Sequence, residues 1–268
     1  MQLEKSVLGK KVSYTETYDK SLLFPILRAE KREELGFKNP LPFQGYDLWR
    51  AFELSWLNEK GKPQVALAEF LFPASSPFLI ESKSFKLYLN SYNQTPFSSP
   101  KEVQERLQRD LSDASKSEVE VRFIDVEKEA PFPPLKGTCI DDLDIETDIY
   151  NVTPSLLKQG SEHVEETLYT HLFKSNCLVT GQPDWATVLI SYKGKALAKE
   201  ALLQYLISYR CHLELHEQAI ERIFRDLSQL KLEELTVIGF FTRRGGLDIN
   251  PVRSTTAHPK ELPRLLRQ

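Results

Sequence analysis

The pattern of hydrophobic and polar positions divides the chain into two halves that predict a similar series of elements. In the first half, two segments rich in aromatic and aliphatic residues flank a polar stretch at residues 58–62, which predicts a β-hairpin. Apolar positions at helical spacing then predict two helices, and an alternating segment predicts a closing strand. The predicted elements are strands 46–57 and 63–72, a helix that presents Phe85, Tyr88, Leu89 and Tyr92, a helix from residue 99 that presents Val103, Leu107 and Leu111, and strand 119–126.

The start of the second of these helices carries a capping box. Ser99 precedes Pro100, and Glu102 follows the serine by three residues. Serine at this position accepts from a backbone N–H group of the first turn, and proline suits the first helical position because that position needs no N–H group. We therefore expect the helix to open at this serine–proline pair.

The second half predicts the same order of elements: strand, strand, helix, helix, strand. Its second helix ends in Arg-Asp-Leu-Ser at residues 225–228, and the corresponding helix of the first half ends in the same four residues at 109–112. The shared order and the shared tetrapeptide predict an internal duplication. The predicted elements are strands 163–177 and 184–192 joined by a turn at 180–183, helices 195–209 and 215–230, and strand 235–242.

A break separates the two halves. Three prolines and a glycine lie within residues 131–137, and the acidic stretch 141–148 follows them. Prolines at this density cannot continue a helix or a central strand, so we predict a linker near residues 127–150. The predicted domains are residues 1–135 and 136–268.

Composition excludes several classes of protein. The chain carries 35 basic and 38 acidic side chains, a formal charge of −3, which does not favour nucleic-acid binding. No segment approaches the roughly 18 consecutive apolar residues of a membrane span, and the start of the chain has no apolar signal region, so we expect a soluble cytoplasmic protein. The cysteines, at positions 139, 177 and 211, are too widely spaced for a Cys-x-x-Cys metal site, and their odd number does not suit a disulfide framework.

Two basic segments could hold an anion, although the chain has neither the glycine motif of a Rossmann fold nor that of a P-loop. Residues 81–88, Glu-Ser-Lys-Ser-Phe-Lys-Leu-Tyr, would place free N–H groups and Lys83 at the start of a helix. Residues 243–246, Arg-Arg-Gly-Gly, suit contact with a phosphate. The alternatives are an amphipathic helix with solvated charges and an ordinary basic turn.

Cys177 and Asp184 flank the turn of the second predicted hairpin. A hairpin brings the ends of its strands together, so the thiol and the carboxyl group could share one pocket. Such a pair could act as nucleophile and proton donor. The alternative is a buried structural cysteine, which is a common state of a free cysteine.

His216 and Glu217 open the last long helix and flank its apolar face. A carboxylate there needs a partner, because burying an unpaired charge is costly, and the N–H edge of a guanine-like ring would supply one. The alternative is a favourable acidic residue at a helix N-terminus. His212 and His216 are four residues apart, but Leu213 stands where the zinc protease motif needs glutamate, so we predict no metal.

Together these residues resemble one family, the 7-cyano-7-deazaguanine reductases, which are nitrile reductases of tRNA queuosine biosynthesis. The similarity spans almost the whole chain in the long, two-module form of the family. The matching segments are Leu8-Gly-Lys, 22–28, the signature octapeptide 81–88 with its extension 89–95, 175–184, His216-Glu217 and 241–251.

The resemblance implies an α+β architecture of two tandem tunnelling-fold modules. Each would be an antiparallel sheet with two helices inserted between its second and third strands, in agreement with the predicted order of elements. It also implies a homodimer, and a site formed between the modules.

The resemblance further implies the role of each site residue. Cys177 would attack the nitrile carbon to form a covalent thioimide, Asp184 would protonate the nitrile nitrogen, and two NADPH molecules would supply hydrides for the four-electron reduction to the aminomethyl product. The base pocket would be lined by Ile80, Glu81, Ser82, His216 and Glu217, and the cofactor contacts would be Ser82, Lys83, Arg244 and Gly245.

Two alternatives stay open. One is a zinc-dependent pterin or purine enzyme similar to GTP cyclohydrolase, with the metal at Cys177 and His216. The other is a purine-binding module without catalysis, which would have no need of a nucleophile beside a proton donor.

Overall fold

The computed structural model describes residues 14–125, 132–259 and 261–268. The Leu8-Gly-Lys motif, the start of the chain and the part of the predicted linker up to residue 131 lie outside the described residues. The chain forms two compact units. The first comprises Met1–Glu34, Tyr46–Ala130 and Arg243–Asp248, and the second comprises Leu35–Gly45, Pro131–Thr242 and Ile249–Gln268. In the described part of the chain, the helices are too short or too polar to cross a membrane.

The first unit contains a mainly antiparallel sheet with helices. Strands β2, β3 and β6 pair in the order β6-β3-β2, β5 joins β2 in parallel, and β1 pairs with β4 as a separate ribbon. The predicted hairpin, the two helices and the closing strand are confirmed, whereas α1, β1, β4 and β5 were not predicted. The elements are β1 (Pro25–Leu27), α1 (Arg28–Glu34), β2 (Gln44–Asn58), β3 (Pro63–Pro73), β4 (Phe78–Ile80), α2 (Ser82–Asn90), β5 (Pro96–Phe97), α3 (Pro100–Ser115) and β6 (Glu120–Ile124).

Helix α3 begins at Pro100, with Ser99 as its N-cap. The Ser99 side chain accepts from the N–H group of Glu102, at 3.2 Å. The Glu102 carboxylate accepts from the N–H group of Ser98 at 3.0 Å, one residue before the cap. The bond to the Ser99 side chain is therefore as predicted. In a capping box the glutamate accepts from the N–H group of the N-cap residue, whereas Glu102 accepts from that of Ser98, one residue earlier.

The second unit repeats this architecture. Strands β8 to β11 pair antiparallel in the order β11-β10-β9-β8, and β7 joins β8 in parallel. The elements are β7 (Thr138–Cys139), β8 (Gln159–Asn176), β9 (Pro183–Leu197), α4 (Lys199–Ile207), a 3-10 turn (Ser208–Cys211), α5 (His216–Ser228), β10 (Glu234–Phe241) and β11 (Leu247–Ser254), whose residues from 249 onward belong to this unit.

One predicted helix start in this unit is wrong, and one long strand was not predicted. The helix predicted from residue 195 begins at Lys199, because β9 keeps pairing with β8 as far as the pair Gln159 and Leu197. Strand β11 was not predicted. Its eight residues are all buried, so it lacks the alternation of buried and exposed side chains that marks a strand with one solvated face.

A buried group of two tyrosines and an aspartate joins the helices of the first unit. The Tyr88 hydroxyl lies 2.6 Å from that of Tyr92 and donates to the Asp110 carboxylate at 2.8 Å. All three side chains are almost completely buried. Ser91 adds a bond from its hydroxyl to the Tyr88 carbonyl oxygen. This network holds the end of α2 against α3.

The second unit contains the same group. The Tyr205 hydroxyl lies 2.9 Å from that of Tyr209 and donates to the Asp226 carboxylate at 2.7 Å, and Ser208 bonds to the Tyr205 carbonyl oxygen. Burial raises the pKa of Tyr205 well above that of a solvated phenol, so it stays a donor. The aspartates of both groups come from the repeated Arg-Asp-Leu-Ser segments, which supports the internal duplication.

The hairpin of the first unit is closed by a short turn. The N–H group of Asn58 donates to the Lys62 carbonyl oxygen at 2.9 Å, and the N–H group of Gly61 donates to the Asn58 carbonyl oxygen at 2.9 Å. Asn58 therefore ends β2 and starts the turn, and Pro63 starts β3.

Candidate active site

Cys177 lies at the mouth of the hairpin formed by β8 and β9. Its N–H group donates to the Gln182 carbonyl oxygen at 2.8 Å, and its carbonyl oxygen accepts from Gly181 at 3.0 Å. The ladder therefore extends one residue beyond β8, and the residue is 4% exposed. All three cysteines are free thiols, and Cys177 is the buried one.

Asp184 lies on the opposite strand of the same hairpin, directly across from Ser175. Side chains alternate along a strand, so Cys177, two residues after Ser175, projects from the same face as Ser175 and Asp184. Diagonal neighbours of this kind have Cα atoms about 7–8 Å apart, within reach of a small bound group that touches both. The hairpin is as predicted, and it places the thiol and the carboxyl group on one face.

Ser175 belongs to this face and was not predicted as a site residue. Its side chain is fully buried, and its hydroxyl oxygen has no hydrogen-bond partner among the described residues. A buried hydroxyl without a partner is costly, so the site has an unused donor and acceptor beside Asp184. The position of Ser175 two residues before Cys177 is the sequence signal that could have indicated it.

Hydrogen bonds tie the mouth of this hairpin to the start of α5. The N–H group of Asn176 donates to the His212 carbonyl oxygen at 2.8 Å, and the N–H group of Glu214 donates to the Asn176 carbonyl oxygen at 3.0 Å. Asn176 directly precedes Cys177. The segment that leads into His216 and Glu217 is therefore fixed beside the candidate nucleophile.

His216 and Glu217 are the first two residues of α5. The His216 Nε2 atom lies 3.5 Å from Asp184 Oδ1, and the imidazole packs edge-on against Phe241 with ring centroids 4.3 Å apart. Glu217 is 3% exposed, whereas His216 is partly exposed. The predicted position of both residues beside the buried face is confirmed.

The spacing of His212 and His216 does not reflect one helix. His212 follows the 3-10 turn and lies before α5, with its Nε2 atom 3.1 Å from Glu214 Oε2. Arg222 binds the same carboxylate through Nε at 2.9 Å and Nη2 at 2.7 Å. Burial raises the pKa of Glu214, but the bonds from His212 and Arg222 outweigh burial and hold the pKa below its usual range.

In the first unit, Glu81 is the N-cap of α2. Its carboxylate accepts from the N–H groups of Lys83 at 2.7 Å and Ser84 at 2.8 Å. The helix does start where predicted, but the expectation that its free N–H groups would attract an external anion is wrong for these two groups, because Glu81 already binds them. Burial raises the pKa of Glu81 in spite of these bonds.

The other predicted residues of this segment surround that cap. Ile80 is buried at the end of β4, and Ser82 is partly exposed, with its hydroxyl 3.5 Å from the Glu81 carboxylate. The Lys83 ammonium group donates to the Tyr14 hydroxyl at 2.8 Å and lies 4.9 Å from the centre of that ring.

The Arg-Arg-Gly-Gly segment forms a tight turn in the first unit. Gly245 and Gly246 have φ angles of +59° and +78°, and Arg244 donates to the Leu247 carbonyl oxygen at 2.9 Å. Positive φ at both central residues defines the type I′ turn, which glycine tolerates best. A Cβ atom on Gly245 would lie 3.3 Å from the Lys86 side chain. The turn therefore packs against α2 through Lys86 of that helix. Lys86 was not predicted as a site residue.

The comparisons with known proteins agree on one family. The family described as "Nitrile reductase, 7-cyano-7-deazaguanine-reductase N-term" matches residues 14–123, and the family described as "QueF-like protein" matches residues 183–260. A solved structure of the archaeosine synthase QueF-Like in the apo form aligns with 38% of this chain and all of that chain, at 21% identity and a TM-score of 0.29, which carries no argument about the fold.

Curated relatives cover the chain from end to end. The protein of Chromohalobacter salexigens is 53% identical over 99% of this chain and 98% of its own length, and that of Desulfotalea psychrophila is 52% identical over 97% and 96%. The protein of Cupriavidus taiwanensis is 54% identical over 96% of both. All three carry the name NADPH-dependent 7-cyano-7-deazaguanine reductase. With two family matches in the expected order and this identity over the full length, the chain belongs to the 7-cyano-7-deazaguanine reductase family.

Proposed function

We propose that this protein reduces the nitrile of 7-cyano-7-deazaguanine to the aminomethyl group with NADPH, in the biosynthesis of queuosine. The observation that carries the proposal is the hairpin that presents Cys177 and Asp184 on one buried face, with His216 beside the carboxylate. The names of the full-length relatives agree with it.

The first chemical step uses these residues alone. The Cys177 thiolate attacks the nitrile carbon, a sulfur–carbon bond forms, and one carbon–nitrogen π bond opens onto the nitrogen. Asp184, in its protonated form, gives that nitrogen a proton, so the product is a neutral thioimide and no electrons enter or leave. The bonds that fix Asn176 hold the nucleophile in place, and the contact with His216 orients the carboxyl group.

Recognition of the base rests on Glu217 and His216, with Ile80, Glu81 and Ser82. Glu217 is buried at the first turn of α5, where a carboxylate can accept from the amino and N–H edge of a deazaguanine. Glu81 uses each carboxylate oxygen for one backbone bond, which leaves lone pairs for further donors.

The residues proposed for the cofactor suit the phosphates of NADPH. Ser82 and Lys83 open α2, and Arg244 and Gly245 form the turn that packs against Lys86 of the same helix. Gly245 lacks a side chain at the point where a Cβ atom would crowd that lysine, so we propose this turn and Lys86 as the cradle for a phosphate. NADPH supplies hydride when bound, and these residues bind and orient its phosphates. The same cations favour the 2′-phosphate, so NADPH is preferred over NADH.

The proposal includes the finer architecture that the resemblance implies. Residues 1–135 and 136–268 form two tandem tunnelling-fold modules, except that Leu35–Gly45 belongs to the second compact unit and Arg243–Asp248 to the first. The protein is a homodimer, and it acts in the cytoplasm. The repeated tyrosine–aspartate group and the repeated order of strands and helices support two related modules. Size-exclusion chromatography with light scattering tests the dimer.

Intact-mass spectrometry tests the central step. The protein mixed with 7-cyano-7-deazaguanine alone should gain the full mass of the nitrile, because thiol addition loses no atoms. Cys177→Ala should gain nothing, and Cys211→Ala, which removes an exposed cysteine, should behave like the wild type. An adduct that persists in Cys177→Ala contradicts the mechanism. Base binding without any adduct favours a binding module, and metal that is lost with Cys177→Ala favours a zinc enzyme.

A further inference from the structure

A second group of reactive side chains lies in the second unit, on β7 and β8. Cys139 ends β7, Asp141 follows it by two residues, and His171 lies on β8. Strand β7 runs parallel to β8, with Cys139 opposite Tyr169, and the N–H group of Ile140 donates to the Tyr169 carbonyl oxygen at 3.0 Å. This pairing brings His171 to Cys139 and Asp141, which lie about 30 residues earlier in the chain. One atom from each, a sulfur, a carboxylate oxygen and an imidazole nitrogen, lies within 4.8 Å of the other two.

Hydrogen bonds fix two members of this group. Asp141 accepts from the Thr170 hydroxyl at 2.5 Å and from the N–H group of His171 at 3.1 Å. The His171 Nδ1 atom lies 2.8 Å from the Thr187 hydroxyl oxygen, which leaves Nε2 as the nitrogen available to a ligand. Thr170 and Thr187 are buried. Imidazole and carboxylate ligands held by such outer bonds are typical of metal sites in proteins.

Cys139 completes the group at its solvent side. The residue is exposed, and its sulfur interacts with both the backbone and the side chain of Asp141. Around a tetrahedral zinc ion, ligand atoms are separated by about 3.4–3.6 Å, so atoms that lie within 4.8 Å of one another need to approach by at most about 1.4 Å. The exposed side leaves room for water as a fourth ligand.

We propose that Cys139, Asp141 and His171 bind a Zn²⁺ ion. Thiolate, carboxylate and neutral imidazole carry two negative charges together, which match the charge of the ion, and this mixed set of sulfur, oxygen and nitrogen ligands suits zinc better than magnesium or calcium. Neither Cys177 nor Asp184 is among the ligands, so the ion joins β7 to β8 and takes no part in the proposed reduction. Sequence spacing did not indicate the site, because the cysteine and the histidine meet only through strand pairing.

Cobalt titration tests the site in full-length protein that carries Cys177→Ala, so that the buried thiol cannot compete. Metal-free protein should bind one equivalent of Co²⁺ and develop a thiolate-to-cobalt band in the near ultraviolet, and Zn²⁺ should displace the band. Cys139→Ser should abolish the band and weaken zinc binding about tenfold or more, and His171→Gln and Asp141→Asn should also weaken binding.

Cys211→Ser provides the matched control, because it removes the other exposed cysteine and leaves the group intact. It should keep the band and the zinc affinity. The proposal is overturned if Cys139→Ser keeps the band, if Cys211→Ser loses it, or if the parent protein binds no stoichiometric metal. Circular dichroism of each variant confirms that a loss of binding is not a loss of folding.

Discussion

The His216 Nε2 atom lies 3.5 Å from Asp184 Oδ1, and both side chains are largely shielded from solvent. The contact joins the first residue of α5 to the second residue of β9, so the proposed proton donor is held by a different element from the one that carries it. A carboxyl group whose orientation is fixed by its own strand and by a contact with His216 loses little conformational entropy when it transfers a proton to a bound nitrile.

Asp184→Asn should slow adduct formation by about 10²–10⁴-fold, because an amide cannot deliver the proton that the nitrile nitrogen needs. His216→Ala should slow it less, since the acid remains but loses its contact. Rapid-quench mass spectrometry measures both rates. Asp113→Asn, on the exposed face of α3, is the matched control and should leave the rate unchanged. An unchanged rate in Asp184→Asn would move the proton donor elsewhere.

Glu217→Gln should weaken binding of the base by about 1–3 kcal/mol, because it removes a charged acceptor from a buried position. Calorimetry in a Cys177→Ala background, where no covalent bond forms, measures the dissociation constant. Glu234→Gln, at the exposed start of β10, should not change it. Equal affinity in Glu217→Gln would exclude this residue from base recognition.

Gly245→Ala should raise the KM for NADPH while it leaves adduct formation with the nitrile unchanged. The added methyl group would lie 3.3 Å from Lys86 and partly fill the proposed phosphate cradle. Gly61→Ala is a close control, because Gly61 also has a positive φ angle, +76°, but no atom near its added Cβ. Both variants should lose a similar amount of stability, about 1 kcal/mol, from the left-handed backbone. A KM that rises equally in both variants would contradict the role of the cradle.

Tyr205→Phe should lower the free energy of unfolding by about 1–3 kcal/mol, because it leaves the buried Asp226 carboxylate without one of its donors. Tyr88→Phe should have a similar effect in the first unit through Asp110. Urea unfolding measures both, with Tyr150→Phe as the control at an exposed position. If neither variant is destabilised, the two tyrosine groups do not support their units.

Glu214 should make stability fall in acid. Its pKa in the folded protein is below its ordinary value of 4.5, so the stabilisation is fully present above that pH and is lost as the pH falls through the folded pKa. Glu214→Gln should cost about 1.5–3 kcal/mol at pH 7 and should remove this part of the acid dependence. Thermal unfolding from pH 7 to pH 3 measures the difference, and exposed Glu200→Gln should follow the wild type.

The sequence was sufficient for the elements whose pattern is local. Residues 58–62 and the Ser99-Pro100 pair mark a hairpin and a helix start by their own chemistry, and both are where they were predicted. The hairpin prediction also placed Cys177 and Asp184 together, because strand pairing follows directly from a short turn.

What the sequence could not predict depends on distant partners. Half of the residues of β11 are polar or charged, yet all are buried. Arg253 is fully buried because Glu221, 32 residues earlier, binds its guanidinium group at 2.9 Å and 3.0 Å. The sequence suggested that free N–H groups at the start of α2 could hold an anion, but Glu81 already binds those of Lys83 and Ser84. Secondary-structure propensity and residue spacing carry no information about the distant ion pair of Arg253 or about the competition of Glu81 for the N–H groups of α2.

The two hairpin turns close with corresponding backbone bonds, although the second turn is one residue longer, so the residues at the ends of the turns can be matched. Asn58 donates to Lys62 as Cys177 donates to Gln182, and each turn ends in Gly-x-Pro before the next strand. Asn58 and Gln64 in the first unit therefore stand where Cys177 and Asp184 stand in the second. Two amides can neither attack a nitrile nor protonate it, so the first turn lacks the nucleophile and the proton donor that we propose for the second. An active-site titration should accordingly count one reactive centre per chain, in spite of the duplicated fold.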